Sequence, residues 1–112
     1  MIKQNTKISK KKDFDDIFKK GKAIKGSFLI IRFLRNNKDR SRFAFIVSKK
    51  VSLKAVDRNK IRRRLSEAVK KYKEILAGTD IIFIVLPQAK LKSFLEIKEE
   101  ITVLLNKIIK NR

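Results

Sequence analysis

The chain has no cysteine, no histidine and no tryptophan, one proline and three glycines, and only 11 acidic residues against 31 Lys and Arg. Each shortage excludes something. Without thiols or imidazoles there is no thiolate or histidine metal site, no Cys or Ser–His nucleophile arrangement, and no side chain whose ordinary pKa suits a neutral-pH general base. The missing cysteines give no sign of an oxidising compartment. Glycine is too scarce for a phosphate-cradling loop, and neither GxGxxG nor GxxxxGK occurs. No apolar run approaches the ~18 residues of a membrane span, and Met1-Ile2-Lys3-Gln4-Asn5 lacks the apolar stretch of a signal peptide. The expectation is a cytoplasmic protein without an autonomous active site.

What is present is charge and a core. The 112 residues are 43% hydrophobic and include eight phenylalanines, which suits one domain spanning residues 1–112, with 1–8 a loosely held basic arm. The formal charge of +20 exceeds what solubility asks of a small domain, so nucleic acid is the leading partner class.

The charge is concentrated. From Lys49 to Lys73, eleven basic residues face only Asp57 and Glu67, a net +9 within 25 residues. The centre of this stretch, Val56 to Val69, reads as a helix with Asp57 as its N-cap. At 100° per residue, Ile61, Leu65, Ala68, Val69, Tyr72 and Leu76 form a core-facing stripe. Opposite lie Asn59, Arg62, Arg63, Ser66, Lys70 and Lys73 with no acid among them. An ordinary solvated helix face mixes signs to gain i,i+4 pairs; this one sets like charges side by side, a cost that a polyanion would offset.

The rest reads as support for that helix. Ser9 is placed to cap a short helix carrying Phe14, Ile17 and Phe18 at i, i+3, i+4, with Gly21 as its stop. Phe28–Leu34 and Arg42–Ser48 read as strands joined by a turn at Arg35–Asp39 and paired antiparallel, with Val51–Val56 a third strand or simply the approach to the helix. Ile81–Leu86 is apolar on both sides, as an interior strand requires, and Pro87 ends it. Ser93–Lys110 is an amphipathic closing helix built on Phe94, Ile97, Ile101, Leu104, Leu105 and Ile108. The order is α-β-β-(β)-α-β-α, an α+β sandwich with helices packed on one sheet. Asp13, Asp15 and Asp16 sit among lysines and read as charge balance on the first helix, with a magnesium-assisting role as the alternative.

Ser48-Lys49-Lys50 followed by Ala55-Val56-Asp57-Arg58-Asn59-Lys60-Ile61-Arg62-Arg63 strongly resembles the protein component of bacterial ribonuclease P, whose hallmark is an Arg-Asn-Arg helix with a trailing basic pair. The stretch Asp13 to Gly21 is similar to that family's first helix, so the likeness covers roughly residues 8 to 108. Three positions depart from the pattern. Lys60 stands where the second hallmark arginine is usual, keeping charge but losing the bidentate fork. Ser66 stands where an arginine often precedes the acid, and Val51-Ser52-Leu53-Lys54 lacks the glycine often found after the lysine pair.

The resemblance implies a mixed sheet in an α-β-β-β-α-β-α sandwich similar to the ribosomal protein S5 domain 2-like fold. It implies a protein subunit of an endoribonuclease that removes the 5′ leader of precursor tRNA, with catalysis and most of the magnesium belonging to the RNA partner. Carried onto this sequence, the surface for the catalytic RNA comprises Lys49, Lys50, Arg58, Asn59, Lys60, Arg62, Arg63, Arg64, Lys70 and Lys73. The leader would lie between the sheet and the first helix, with Phe14, Phe18, Ile31 and Phe33 as candidates. No catalytic or metal-ligating residue, organic cofactor, membrane or obligate protein partner is expected in this chain. The rival readings are a structural or ribosomal RNA-binding protein, a DNA-binding helix, which one Asn among phosphate-seeking charges supports poorly, and a membrane-surface helix, whose apolar stripe the core would need.

Overall fold

The computed structural model describes residues 7–110; most of the basic arm, residues 1–6, lies outside that range. Three helices pack on one four-stranded mixed sheet. In chain order these are α1 (Lys11–Lys20), β1 (Lys22–Lys25), β2 (Leu29–Arg35), β3 (Arg42–Ile46), α2 (Ala55–Val69), β4 (Thr79–Val85) and α3 (Phe94–Lys110), with short 3-10 turns at Lys70–Tyr72 and Pro87–Leu91. The predicted element order and the α+β class hold.

Strand pairing differs from the expectation in one respect. The sheet order is β1-β2-β4-β3, with β4 antiparallel to β2 and parallel to β3, so β2 and β3 are not a hairpin. The reason lies in β4. Ile81, Ile82 and Phe83 are fully buried, and an edge position would leave one side of this two-faced apolar strand unpaired. The β2–β3 connection instead straddles the entry to β4: the Asn36 amide donates to the Gly78 carbonyl at 2.8 Å, and the Gly78 amide to the Arg40 carbonyl at 3.2 Å. Gly78 has φ +87°, a conformation that favours glycine.

Val51–Val56 is the approach to α2 and not a strand. The remaining strand is β1, Lys-Ala-Ile-Lys, too short and too charged to be read from pattern; it joins β2 antiparallel through Ile24↔Ile31. Its lysines guard an exposed sheet edge.

Strand alternation splits the interior in two. Leu29, Ile31, Phe43, Ile81, Phe83 and Val85 face α2 and α3, where Ile61, Leu65, Val69, Tyr72, Ile101 and Leu105 complete the main core. On the other face Ala44 and Ile82 meet Ile8 and Ile17 beneath α1. The stripe read on α2 is buried throughout.

Two caps differ from their predicted residues. The α1 N-cap is Lys10, not Ser9, and the α2 N-cap is Lys54, not Asp57. Asp57 lies within the first turn and accepts from Ser52 Oγ at 2.9 Å, while Ser52 Oγ accepts the Lys54 amide at 3.2 Å. Gly21 ends α1 without a left-handed backbone: its φ is −75°, and a Cβ there would collide with the Ile17 carbonyl oxygen and come within 2.7 Å of that of Phe33. Close approach of the helix end to β2 is what requires glycine.

Candidate nucleic-acid interface

The basic residues of α2 separate into two kinds once their partners are known. Arg58 and Arg62 are half-buried and turned onto backbone. Arg58 Nη1 donates to the carbonyls of Ser52 at 2.9 Å and Leu53 at 3.0 Å; Arg62 Nη1 donates to Asn59 Oδ1 at 2.8 Å and Nη2 to the Val47 carbonyl at 3.3 Å. These contacts fix α2 to its own leading loop and to the end of β3. Asn59, Lys60 and Arg63 are exposed, as are Lys49 and Lys50 in the turn after β3; Arg64 and Lys73 are half-buried.

Lys70 is exposed and pairs with Glu67 at 3.0 Å. That hydrogen bond pushes the Lys70 pKa up and pulls that of Glu67 down, and in full solvent such a pair adds little to stability. Ser66 does not belong to the solvated face. It is 7% exposed, because that flank of the helix turns toward β3.

Beside α2 a groove of about 590 Å³ runs along the β3 edge. Lys7, Ile8 and Phe14 form one bank, Asn59, Arg62, Arg63 and Ser66 the other, and Phe43–Phe45 the floor. The Ile8 amide donates to the Phe43 carbonyl at 3.0 Å, so the segment before α1 extends the sheet at this edge. A groove with cations on both banks and aliphatic and aromatic carbon between them suits a single-stranded polyanion.

The sheet face under α1 carries the second predicted surface, with a change of residues. Ile31 is fully buried against α2 and α3, and Phe33 packs on the same side. Neither reaches the α1 side. Opposite parity puts Ile30, Arg32 and Leu34 there instead. Ile30, Ile84 and Ile46 are register partners across β2, β4 and β3, and each keeps part of its surface exposed.

Phe14 is half-buried against this smaller core, and Phe18 is 40% exposed. The Arg32 guanidinium sits 5.4 Å from the Phe18 ring centroid and its Nη2 donates to the Phe18 carbonyl at 2.6 Å, capping the last turn of α1. Ile31 and Phe33 fail as leader candidates because Phe28–Leu34 is apolar on both parities, so its pattern does not set which side meets α1. The available signal was Arg32, the one charge in the run, which marks the side that meets solvent and helix ends.

Asp13 is not balanced within its own helix. Its carboxylate accepts from Arg42 Nη1 at 3.2 Å, and Arg42 also holds Asp80 through Nε at 2.8 Å and Nη2 at 2.5 Å. Hydrogen bonds from Arg42, chiefly to Asp80, drive its pKa above the already high arginine value. The network ties α1, β3 and β4 together.

The sequence family described as Ribonuclease P matches residues 2–109. The chain belongs to that family. The ribonuclease P protein component of Clostridioides difficile is 38% identical over 96 residues, 84% of this chain and 83% of the relative. That of Alkaliphilus metalliredigens is 32% identical over 108 residues, covering 96% of both. Among solved structures, a Staphylococcus aureus RNase P protein mutant with defective mRNA degradation activity superposes with a TM-score of 0.87 at 34% identity, covering 96% of this chain and 90% of that one. The Thermotoga maritima RNase P protein gives 0.81 at 28% identity, covering 90% and 96%. Family membership assigns the chain to the ribonuclease P ribonucleoprotein and to tRNA processing. No helix among the described residues is long and apolar enough to cross a membrane.

Proposed function

We propose that this chain binds the catalytic RNA of a ribonuclease P ribonucleoprotein through the exposed face of α2 and the Lys49–Lys50 turn, and receives the 5′ leader of precursor tRNA beside α1. The observation that carries the reading is the placement of Asn59, Lys60 and Arg63. They stand exposed on one flank of α2 while Arg58 and Arg62, pinned to backbone, hold that flank in place beside the groove. A-form RNA offers backbone and shape more readily than its deep major groove, so cationic contacts dominate such a surface.

The leader has two adjoining supports: the groove along β3, and the Ile30–Ile84–Ile46 row with Phe14 and Phe18 at the α1 side. The chemistry is assigned to the RNA, because a chain without histidine or cysteine lacks the usual groups for activating a nucleophile near neutrality. Magnesium is assigned to the RNA as well. Asp13, the acid the sequence offered for a magnesium-assisting role, is hydrogen-bonded to the Arg42 guanidinium.

The test is precursor-tRNA cleavage by bacterial ribonuclease P RNA at low magnesium, with and without the protein. Cleavage at the mature 5′ end only when both are present is the expected result. Tight RNA binding with unchanged cleavage would favour a structural RNA-binding role on the same helix.

A further inference from the structure

Two large apolar side chains stand in solvent where the basic helix begins: Leu53 is 82% exposed and Val56 72%. Single exposed apolar residues are ordinary on any surface. These two are held out. Ser52 Oγ donates to Asp57 and accepts the Lys54 amide, Arg58 Nη1 clasps the carbonyls of Ser52 and Leu53, and Val51 and Ser52 are themselves buried. A slack loop would let a leucine fold back onto nearby apolar surface; this turn is pinned on both sides of Leu53. Val56, β-branched within a helix, has one dominant rotamer and cannot retract.

Their position is equally specific. Val56 lies four residues before Lys60 and seven before Arg63, so it heads the same exposed face of α2. Lys49, Lys50 and Lys54 in the turn leading to the helix, and Lys60 one helical turn beyond Val56, are all exposed. A protein covering Leu53 and Val56 would have to desolvate those cations. RNA would neutralise them with phosphates and present an apolar base face wherever a nucleotide is unstacked.

We propose that Leu53 and Val56 form an apolar seat for an unstacked nucleobase of the partner RNA, an inference that rests on α2 being the RNA-binding face. Phosphate contacts orient a protein but carry no base information. A base seated on this pair would distinguish a looped or bulged RNA from plain duplex.

The test uses the full chain carrying Leu53→Ser with Val56→Ser, bound to bacterial ribonuclease P RNA across a potassium chloride series. The expected result is binding weaker by about tenfold at every salt concentration, with the slope of log K against log salt parallel to the parent's. Arg63→Ala, in contrast, should flatten that slope. Dimethyl sulfate footprinting should show an unpaired adenine or cytosine that the parent protects and the double variant leaves reactive. A milder pair, Leu53→Gln with Val56→Thr, keeps length and branching and repeats the measurement if the serine variant melts early. Affinity within twofold of the parent, a flattened slope, or an unchanged footprint would overturn the seat alone. A parent chain that fails to bind the RNA would overturn the reading of α2 together with it.

Discussion

The Glu100 carboxylate fills the space that a side chain at Gly26 would need. Its Oε1 and Oε2 accept the amides of Ser27 at 2.9 Å and Phe28 at 2.8 Å, and a Cβ on Gly26 would come within 2.8 Å of the carboxyl carbon. One acid on α3 thereby clamps the β1–β2 turn and holds the exposed edge strand in place.

Gly26→Ala should displace that carboxylate and lose two charge-assisted hydrogen bonds, lowering stability by about 1.5–3 kcal/mol. Urea unfolding of the double-mutant cycle with Glu100→Ala checks the cause. Most of the Gly26→Ala penalty should vanish once the carboxylate is gone; an undiminished penalty would trace it to the backbone.

Arg42 and Asp80 are nearly enclosed, with side chains 12% and 6% exposed. Asp80→Ala would leave the guanidinium with only the more exposed Asp13 and should destabilise by about 3–5 kcal/mol. Asp13→Ala should cost clearly less, since its contact is longer and its side chain is 25% exposed. Thermal melts of the two variants give the order, and equal losses would contradict it.

Glu96 and Ser93 form a reciprocal cap on α3: the Ser93 amide donates to Glu96 Oε1 at 3.0 Å, and the Glu96 amide to Ser93 Oγ at 3.2 Å. The Ser93 backbone amide, foremost, holds the Glu96 pKa below its ordinary value. A depressed carboxylate pKa stabilises the fold above the unfolded value and is lost as pH falls through the folded one. Parent and Glu96→Gln should therefore differ in urea midpoint at pH 7 and converge below about pH 4.

Arg58 and Arg63 should behave differently although both are arginines of one basic helix. Arg63→Ala should leave the melting temperature unchanged and reduce the salt slope of RNA binding by about one phosphate contact. Arg58→Ala should lower the melting temperature, because two loop carbonyls lose their donor. Identical effects would mean that the division between exposed and inward-turned arginines is unsound.

Phe18→Ala should weaken binding of leader-bearing precursor tRNA more than that of mature tRNA, by several fold. It is the more exposed of the two α1 phenylalanines, and its ring lies beneath Arg32 beside the open isoleucine row. Equal losses on both RNAs with a lowered melting temperature would place the ring in the core.

Local periodicity and local counts in the sequence were enough for the three helices, the strands at Phe28–Leu34, Arg42–Ser48 and Ile81–Leu86, the buried stripe of α2 and the unmixed positive charge, but not for the short, charged β1. Ile61, Leu65 and Val69 could be assigned to the core from spacing alone, as could Ile97, Ile101 and Leu105 on the closing helix. Tertiary structure alone decided that β4 lies between β2 and β3, since strand order depends on which apolar strand gains most from two neighbours. It also decided that Ile30 rather than Ile31 meets the α1 side, because a strand apolar on both faces leaves its own parity undetermined. Arg58, Arg62 and Asp13 were visible as charges, yet the direction each side chain takes depends on folded neighbours: the loop before α2, the end of β3 and the Arg42 guanidinium. Arg42 lies 29 residues from Asp13 and Val47 15 from Arg62, beyond any local pattern. The Ser52 and Leu53 carbonyls are only six and five residues from Arg58, yet it is the turn of the folded chain that aims them at it.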